Sequence, residues 1–329
     1  MVPEVRLTVL GSLNMDISVT VARLPEPGAT VLGSAAAYAP GGKGANQAVA
    51  AARLGARVRM VGCVGDDDFG TRLRAALRAE DVDDGGVRTV PGVPTGLAMI
   101  TVDESGENMI TVAPGANREV GDGDVAALVS APETGRREAL VISAEIPADA
   151  IKAALALAGP MPRILNLAPA PPSSGDLLAG VDWLVVNESE AASVLGRPVD
   201  GLDGSAAAAV ELAGLGACNA VVTAGAHGAA YCARPDEGRS RGDGSTPGLA
   251  VTVPGFRIRA VDSVGAGDTF VGALAVALAA GVPAQEAVRA ACAAGAAAAS
   301  RPGTQSGMPH PPEILAATGY AWPLTPDPR

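Results

Sequence analysis

Short runs of Val, Ile and Leu alternate through most of the chain with Ala-rich stretches whose apolar positions recur at helical spacing. The short runs, bounded by turn residues, predict buried strands at 7–11, 58–61, 140–143, 164–167, 183–186, 220–223 and 229–232. The longer stretches predict helices at 44–54, 71–79, 148–158, 206–215, 269–280 and 284–299. Strand and helix in strict alternation imply an α/β fold, with a central, mostly parallel sheet flanked by helices. Two segments break the rhythm, 17–38 and 95–112, and in the second LAMITV and NMITV flank DESGE as a hairpin. Neither carries a helix, so together they predict a small β-sheet lid over the strand ends, where open α/β sheets bind ligands. The expected division is a large α/β domain of 1–16, 39–94 and 113–320, a lid of 17–38 and 95–112, and a loose tail at 321–329. Residues 234–249, rich in Gly, Ser, Arg and Asp, read as an exposed loop.

Composition narrows the chemistry. Over 329 residues, 24 Lys and Arg stand against 35 Asp and Glu, a net charge of −11 that disfavours nucleic acid and anionic membrane as partners. With two Trp, three Tyr and three Phe, stacking is not the main device for holding a ligand, so a polar ligand must be held by hydrogen bonds. Two histidines, His227 and His310, leave no material for a multi-histidine metal site, and carboxylates must do the acid–base work. Cys63, Cys218, Cys232 and Cys292 form no CxxC pair and no signal peptide is read before them, which implies reduced thiols and a cytoplasmic location. The uncharged stretch 269–284 is too short to span a bilayer and reads as a buried helix.

Several polar clusters follow predicted strands directly. Asn14 and Asp16 come just after the first strand, as turn residues or as partners for sugar hydroxyls, since an ionised carboxylate accepts and a polyol offers donors. The run from Ala39 to Ala48, APGGKGANQA, lacks the glycine and hydroxyl that a P-loop needs. What remains is a glycine-rich turn, with Gly42, that places Lys43 and Asn46 on a helix's opening turn. Glu145 follows the strand at 140–143. Asn187 and Glu190 fit a capping box, or a pair that organises water around Mg²⁺ and a nucleotide phosphate. The segment from Thr223 through Gly225 to Gly228 is either an ordinary glycine turn or a phosphate-contacting loop. In DSVGAGDTF a dinucleotide fingerprint fails, because Phe270 stands where its third glycine belongs. Asp268 is either a helix N-cap or a general base beside an anion hole made by the backbone of Gly265, Ala266 and Gly267.

Taken in order, the GSLNMD segment, the GGKGANQA block, Asn187-x-x-Glu190 and the GAGD run ending at Asp268 resemble the ribokinase branch of the PfkB carbohydrate kinase family over nearly the whole chain. The resemblance implies ATP-dependent phosphorylation of D-ribose at O5, with Asp268 as catalytic base. It places Asn14, Asp16, Gly42, Lys43, Asn46 and Glu145 on the sugar, and Asn187, Glu190, Thr223, Gly225 and Gly228 on the nucleotide and magnesium side. It also implies activation by K⁺ at Asp262, Val264, Ala298, Arg301 and Gly303, although Gly307 stands where the family commonly has a serine and Ser306 is its neighbour. The lid would close over the sugar with Ala98, Ile110 and Val112 as its apolar underside and would form a homodimer contact. The alternatives are another sugar or nucleoside kinase of the same family, or a sugar-binding sensor without catalysis.

Overall fold

The computed structural model describes residues 4–104, 106–126, 128, 137–159, 161–170, 174–233 and 248–324. The first half of the chain runs β1 (Val5–Leu10), β2 (Asn14–Val21), β3 (Ala37–Gly41), α1 (Lys43–Arg53), β4 (Arg57–Gly65), α2 (Asp68–Ala79), β5 (Val82–Val90), β6 (Gly96–Asp103), β7 (Asn108–Ala113), α3 (Asp122–Ala126) and β8 (Arg137–Ser143). There follow α4 (Ala148–Leu157), β9 (Arg163–Asn166), β10 (Trp183–Asn187), α5 (Glu188–Leu195), α6 (Gly201–Gly214), β11 (Asn219–Thr223), β12 (Gly228–Cys232) and β13 (Ala250–Pro254). The chain ends in α7 (Ala266–Ala279), α8 (Ala284–Ala299), α9 (Thr304–Gly307) and α10 (Pro311–Thr318).

Nine strands form one sheet in the order β13-β12-β11-β10-β9-β8-β1-β4-β5, parallel from β11 to β5 and extended antiparallel by β12 and β13. Side chains alternate across it with period two. Val5, Leu7 and Val9 of β1 and Ala139 and Val141 of β8 join the core under α1, α2, α7, α8 and α10. Leu10, Leu140 and Ile142 join the opposite core, under α3, α4, α5 and α6. Helices on both faces let the central strands read as near-continuous apolar runs. The carboxyl ends of β1, β8, β10 and β11 therefore open on one edge, carrying Ser12, Glu145, Asn187 and Thr223 respectively.

The smaller sheet has the order β3-β2-β6-β7, with β2 and β6 parallel and the other pairs antiparallel. Its strands reach past the predicted segments, from Asn14 at one end to Gly41 and Ala113 at the others. Asn14 and Asp16 thus lie on a strand rather than in a turn. Pro40 is accommodated because β3 is an edge strand. Two strands of the large sheet, β5 and β13, had no signal in the apolar pattern; β5 reads VDDGGVRTV and its pairing with β4 shifts register between Arg59 and Val61.

Most of the exposed loop expected at 234–249 lies outside the described residues. Of the loose tail expected at 321–329, residues 321–324 are described, and there Trp322 is only 3% exposed and belongs to the hydrophobic core. Among the described residues no helix is long and apolar enough to cross a membrane, and all four cysteines are free thiols.

Trp322→Ala removes a large buried side chain. We expect it to lower unfolding stability by about 3 kcal/mol, measured by denaturant titration; an unchanged midpoint would mean that the C-terminal segment does not pack as described.

Candidate active site

The turn between β3 and α1 brings the backbone hard against the end of β1. Gly42 has φ 89°, and a Cβ there would lie 2.6 Å from the Asn14 amide nitrogen and 2.8 Å from the Ser12 carbonyl oxygen, so only glycine fits. Helix α1 then starts at Lys43, as the sequence predicted, with Asn46 and Gln47 buried on its first turn. Helix α7 starts at Ala266 after Gly265, which is left-handed at φ 79° and is the N-cap. Asp268 is therefore not the cap. Its carboxylate turns inward, 9% exposed, to meet α1.

The two helices meet through amides. Asn46 Nδ2 donates to Asp268 Oδ2 at 2.9 Å, and Gln47 Nε2 donates to Asp268 Oδ1 at 3.1 Å. Gln47 Nε2 also donates to Asn166 Oδ1 at 2.9 Å, and Asn166 in turn donates to the Val185 carbonyl at 3.1 Å. On the other side, Gln305 Nε2 donates to Asn46 Oδ1 at 3.0 Å. Gln305 is held in place because Arg53 donates to the carbonyls of Gln305 and Met308 while pairing with Glu80. Asn166 and Gln305 are not among the predicted site residues, and neither is Gln47 although it stands in the GGKGANQA block; the bonds that tie them to α1 and α7 span over a hundred residues of sequence.

Around Asp268 stand the other predicted sugar residues. Glu145 Oε2 accepts from Ser12 Oγ at 2.6 Å and from the Lys43 backbone N–H at 3.4 Å. Strand register sets Asp16 beside Ala98 on one face of the small sheet, and Val112, opposite Ala98, shares it. Ile110 lies one step further along the same face, so the expected underside forms, with Ala98 buried and Ile110 and Val112 about half exposed. Asn14, Val112, Asn117, Arg118, Glu145 and Ile146 line a cavity of about 530 Å³ at this edge.

Lys43 stands among four carboxylates. Burial by itself would lower its pKa, but Asp268, Glu145, Glu190 and Asp16 outweigh burial and hold the ammonium above its ordinary value. Burial pushes the Asp16 carboxyl up to about 7, with the charges of Glu145 and Asp268 adding to the rise and Lys43 opposing it. Burial also holds Glu190 above the usual carboxylate range, against the Asn187 N–H and Lys43, with Asp268 adding to the rise.

On the nucleotide side, the capping box of α5 is complete. Asn187 Oδ1 accepts the Glu190 N–H and Glu190 Oε2 accepts the Asn187 N–H, both at 2.8 Å. The box also fixes where Glu190 sits, within the field of Lys43 and Asp268. Thr223 ends β11, and Gly225 is exposed in the turn after it at φ 51°. Gly228 is buried, and a Cβ there would lie 2.1 Å from the Val253 carbonyl oxygen, so the pairing of β12 with β13 leaves no room for a side chain.

The residues expected to hold a monovalent cation lie before α7 and at or after the end of α8. Asp262 Oδ1 accepts the Val264 N–H and Oδ2 accepts the Gly303 N–H, each at 3.0 Å. A Cβ on Gly307 would lie 3.3 Å from the Arg301 and Pro302 carbonyl oxygens and 3.6 Å from that of Ala298. Those neutral oxygens converge beside the glycine, a donor set suited to a monovalent cation. Among the described residues no group of three or more His, Cys, Asp or Glu side chains could hold a metal ion. A single carboxylate such as Glu190 suits Mg²⁺ held mainly through water and phosphate oxygens.

A doubly wound α/β sheet with a small second sheet sets its ligand site at the carboxyl ends of the strands, and a buried carboxylate on the first turn of a helix there suits a phosphotransferase. The chain belongs to the pfkB family of carbohydrate kinases, whose model matches residues 5–311. It is 37% identical to the ribokinase of Bacillus subtilis and 35% identical to that of Haemophilus influenzae, each match covering 94% of this chain and 97% of the relative. Among solved structures, that of Arabidopsis thaliana ribokinase complexed with ribose and ATP superposes with a TM-score of 0.76 at 29% identity. It covers 95% of this chain and 98% of that one.

Because the folded pKa of Asp16 exceeds its unfolded value, its contribution to stability is fully present below about pH 4 and is lost as pH rises through 7. Asp16→Asn should therefore raise the melting temperature more at pH 8 than at pH 5, and calorimetry at the two pH values checks the sign. An equal shift at both would place Asp16 in a more solvated setting.

Proposed function

We propose that this chain transfers the γ-phosphoryl group of ATP to O5 of D-ribose. The observation that carries the reading is the bonded pair Asn46–Asp268, which joins the helix proposed to hold the sugar to α7 at a buried carboxylate placed to act as base. The ribokinase relatives, and the neighbour whose structure contains ribose and ATP, support the choice of substrates.

In this reading Asn14, Asp16, Gly42, Lys43, Asn46 and Glu145 hold the sugar. Asp268 takes the proton of the O5 hydroxyl as that oxygen bonds to the γ-phosphorus, and the bond to the β,γ-bridging oxygen breaks to release ADP. Charge developing on the transferred group meets the backbone N–H groups of Gly265 and Gly267 at the positive end of α7, while the expected third donor, the Ala266 N–H, is engaged by the Ser263 carbonyl at 3.2 Å. Asn187, Thr223 and Gly225 face the nucleotide. Glu190 would hold Mg²⁺ through water, and that ion would supply positive charge to the phosphates. Asp262, Val264, Ala298, Arg301 and Gly303 would hold K⁺, which would supply a fixed charge beside the anion hole, without the hydroxyl that a serine in place of Gly307 would add. Four free thiols support a cytoplasmic setting. The half-exposed apolar face of the small sheet supports its role as a lid and as the contact of a homodimer.

The test is ADP release from MgATP with D-ribose, 2-deoxyribose, fructose and adenosine, with and without K⁺. Ribose should give the highest kcat/KM, and Asp268→Asn should lower kcat by about 10²–10⁴-fold while ribose still binds. A better acceptor among the others would move the substrate, and near-normal turnover of the variant would remove Asp268 from its role. For the dimer, Ile110→Asp should shift sedimentation toward the monomer; a wild-type chain that is monomeric at every concentration would refute the contact.

A further inference from the structure

Asn117 lies on a single 3₁₀ turn (Gly115–Glu119) after β7 and is 1% exposed. Its side chain is read from both sides by one residue of the turn after β1. Oδ1 accepts the Leu13 N–H at 2.9 Å, and Nδ2 donates to the Leu13 carbonyl at 3.2 Å. A flipped amide would set N–H against N–H and C=O against C=O, so the backbone of Leu13 decides which end is which. The second proton of Nδ2 goes to Asn14 Oδ1 at 2.7 Å.

That bond settles the polarity of Asn14 in turn. With its oxygen engaged by Asn117, Asn14 has Nδ2 left to present, and among the described residues no hydrogen-bond acceptor serves that group. Asn14 is 3% exposed and lines the cavity that Glu145 also lines. An independent feature protects the arrangement. Gly96, the first residue of β6 and the register partner of Asn14, crosses directly over the pair. A Cβ there would lie 2.2 Å from Asn14 Oδ1 and 2.3 Å from Asn117 Nδ2.

We propose that Asn117 is a positioning residue that presets Asn14 as a donor, so that a substrate oxygen with a free lone pair is required at this corner while the Asp16 and Glu145 carboxylates accept from hydroxyls elsewhere. The proposal rests on the reading that Asn14 holds the sugar. It gives the site opposite demands at two ends, and a sugar lacking the matched oxygen leaves a buried N–H unpaired.

The decisive variant is Asn117→Asp. Its carboxylate still accepts the Leu13 N–H but has no proton for Asn14, and it draws the Asn14 amide round so that the oxygen faces the cavity. We expect the KM for ribose to rise about 10–100-fold, the size of one mispaired buried group, with kcat within about threefold and the KM for ATP unchanged. In an Asn14→Ala background the same substitution should have no further effect on the sugar KM, since it acts through Asn14. Additive effects in that cycle, or a ribose KM within twofold of wild type, would overturn the proposal. Gly96→Ala presses on the same bond and serves if Asn117→Asp does not fold; it should also raise the ribose KM and leave the ATP KM unchanged, and failure to do so counts against the proposal equally. If wild type turns over no sugar, the kinase reading falls by itself. The side-chain amide NMR signals of Asn14 then decide separately: they should move in Asn117→Asp without any ligand, and unmoved signals would overturn the assignment.

Discussion

The carboxylate of Asp268 is buried between two helices, and the amides of Asn46 and Gln47 make that burial tolerable. An ionised carboxylate away from water is costly unless its oxygens accept hydrogen bonds, and here each oxygen has an amide donor. The requirement reaches into the packing. For Asn46 and Gln47 to touch Asp268, α1 must lie close to α7, and Gly272 permits it: a Cβ there would lie 2.8 Å from the Gln47 carbonyl oxygen. The Ala-rich face of α1 and the glycine of α7 are thus part of the same arrangement as the buried Asp268 carboxylate.

The electrostatics follow from the same crowding. Asp16, Glu145, Glu190 and Asp268 face Lys43 in a chain of net charge −11. Unlike charges hold the Lys43 ammonium above its ordinary value despite its burial, while burial, with like charges adding, pushes the Asp16 carboxyl up to about 7. In the proposed reaction, phosphate groups entering such a site would need positive charge that side chains do not supply in quantity, and the proposal draws it from the N–H groups at the α7 N-terminus and from bound cations.

The apolar rhythm was enough to read the central strands and helices, because strands covered on both faces and amphipathic helices write their burial directly into local sequence. Edge strands escaped it. Strand β5, with two aspartates and two glycines, is held by pairing with β4, and β13 is held by β12. The N-cap alternative for Asp268 was reasonable locally and failed because Gly265 takes the left-handed cap and starts the helix three residues earlier. At Asn187 and Glu190 the local alternative was realised as a complete capping box, which leaves their proposed nucleotide and magnesium role open to the same side chains. Trp322 shows the opposite error: a Pro-rich context suggested a free end, whereas one large apolar ring was enough to anchor it in the core.

By itself the sequence determined the fold class, the glycine-rich turn before α1, and the residues at the carboxyl ends of β1, β8, β10 and β11, since these depend on short-range patterning and on where strands must stop. Only the tertiary structure decided the partners: Gln47 with Asn166 and Asp268, Gln305 with Asn46, and Asn117 with Leu13 and Asn14. An amide has two chemically opposite ends and no charge to betray its role. Which end faces the substrate is settled by neighbours that the fold brings in from a hundred or more residues away.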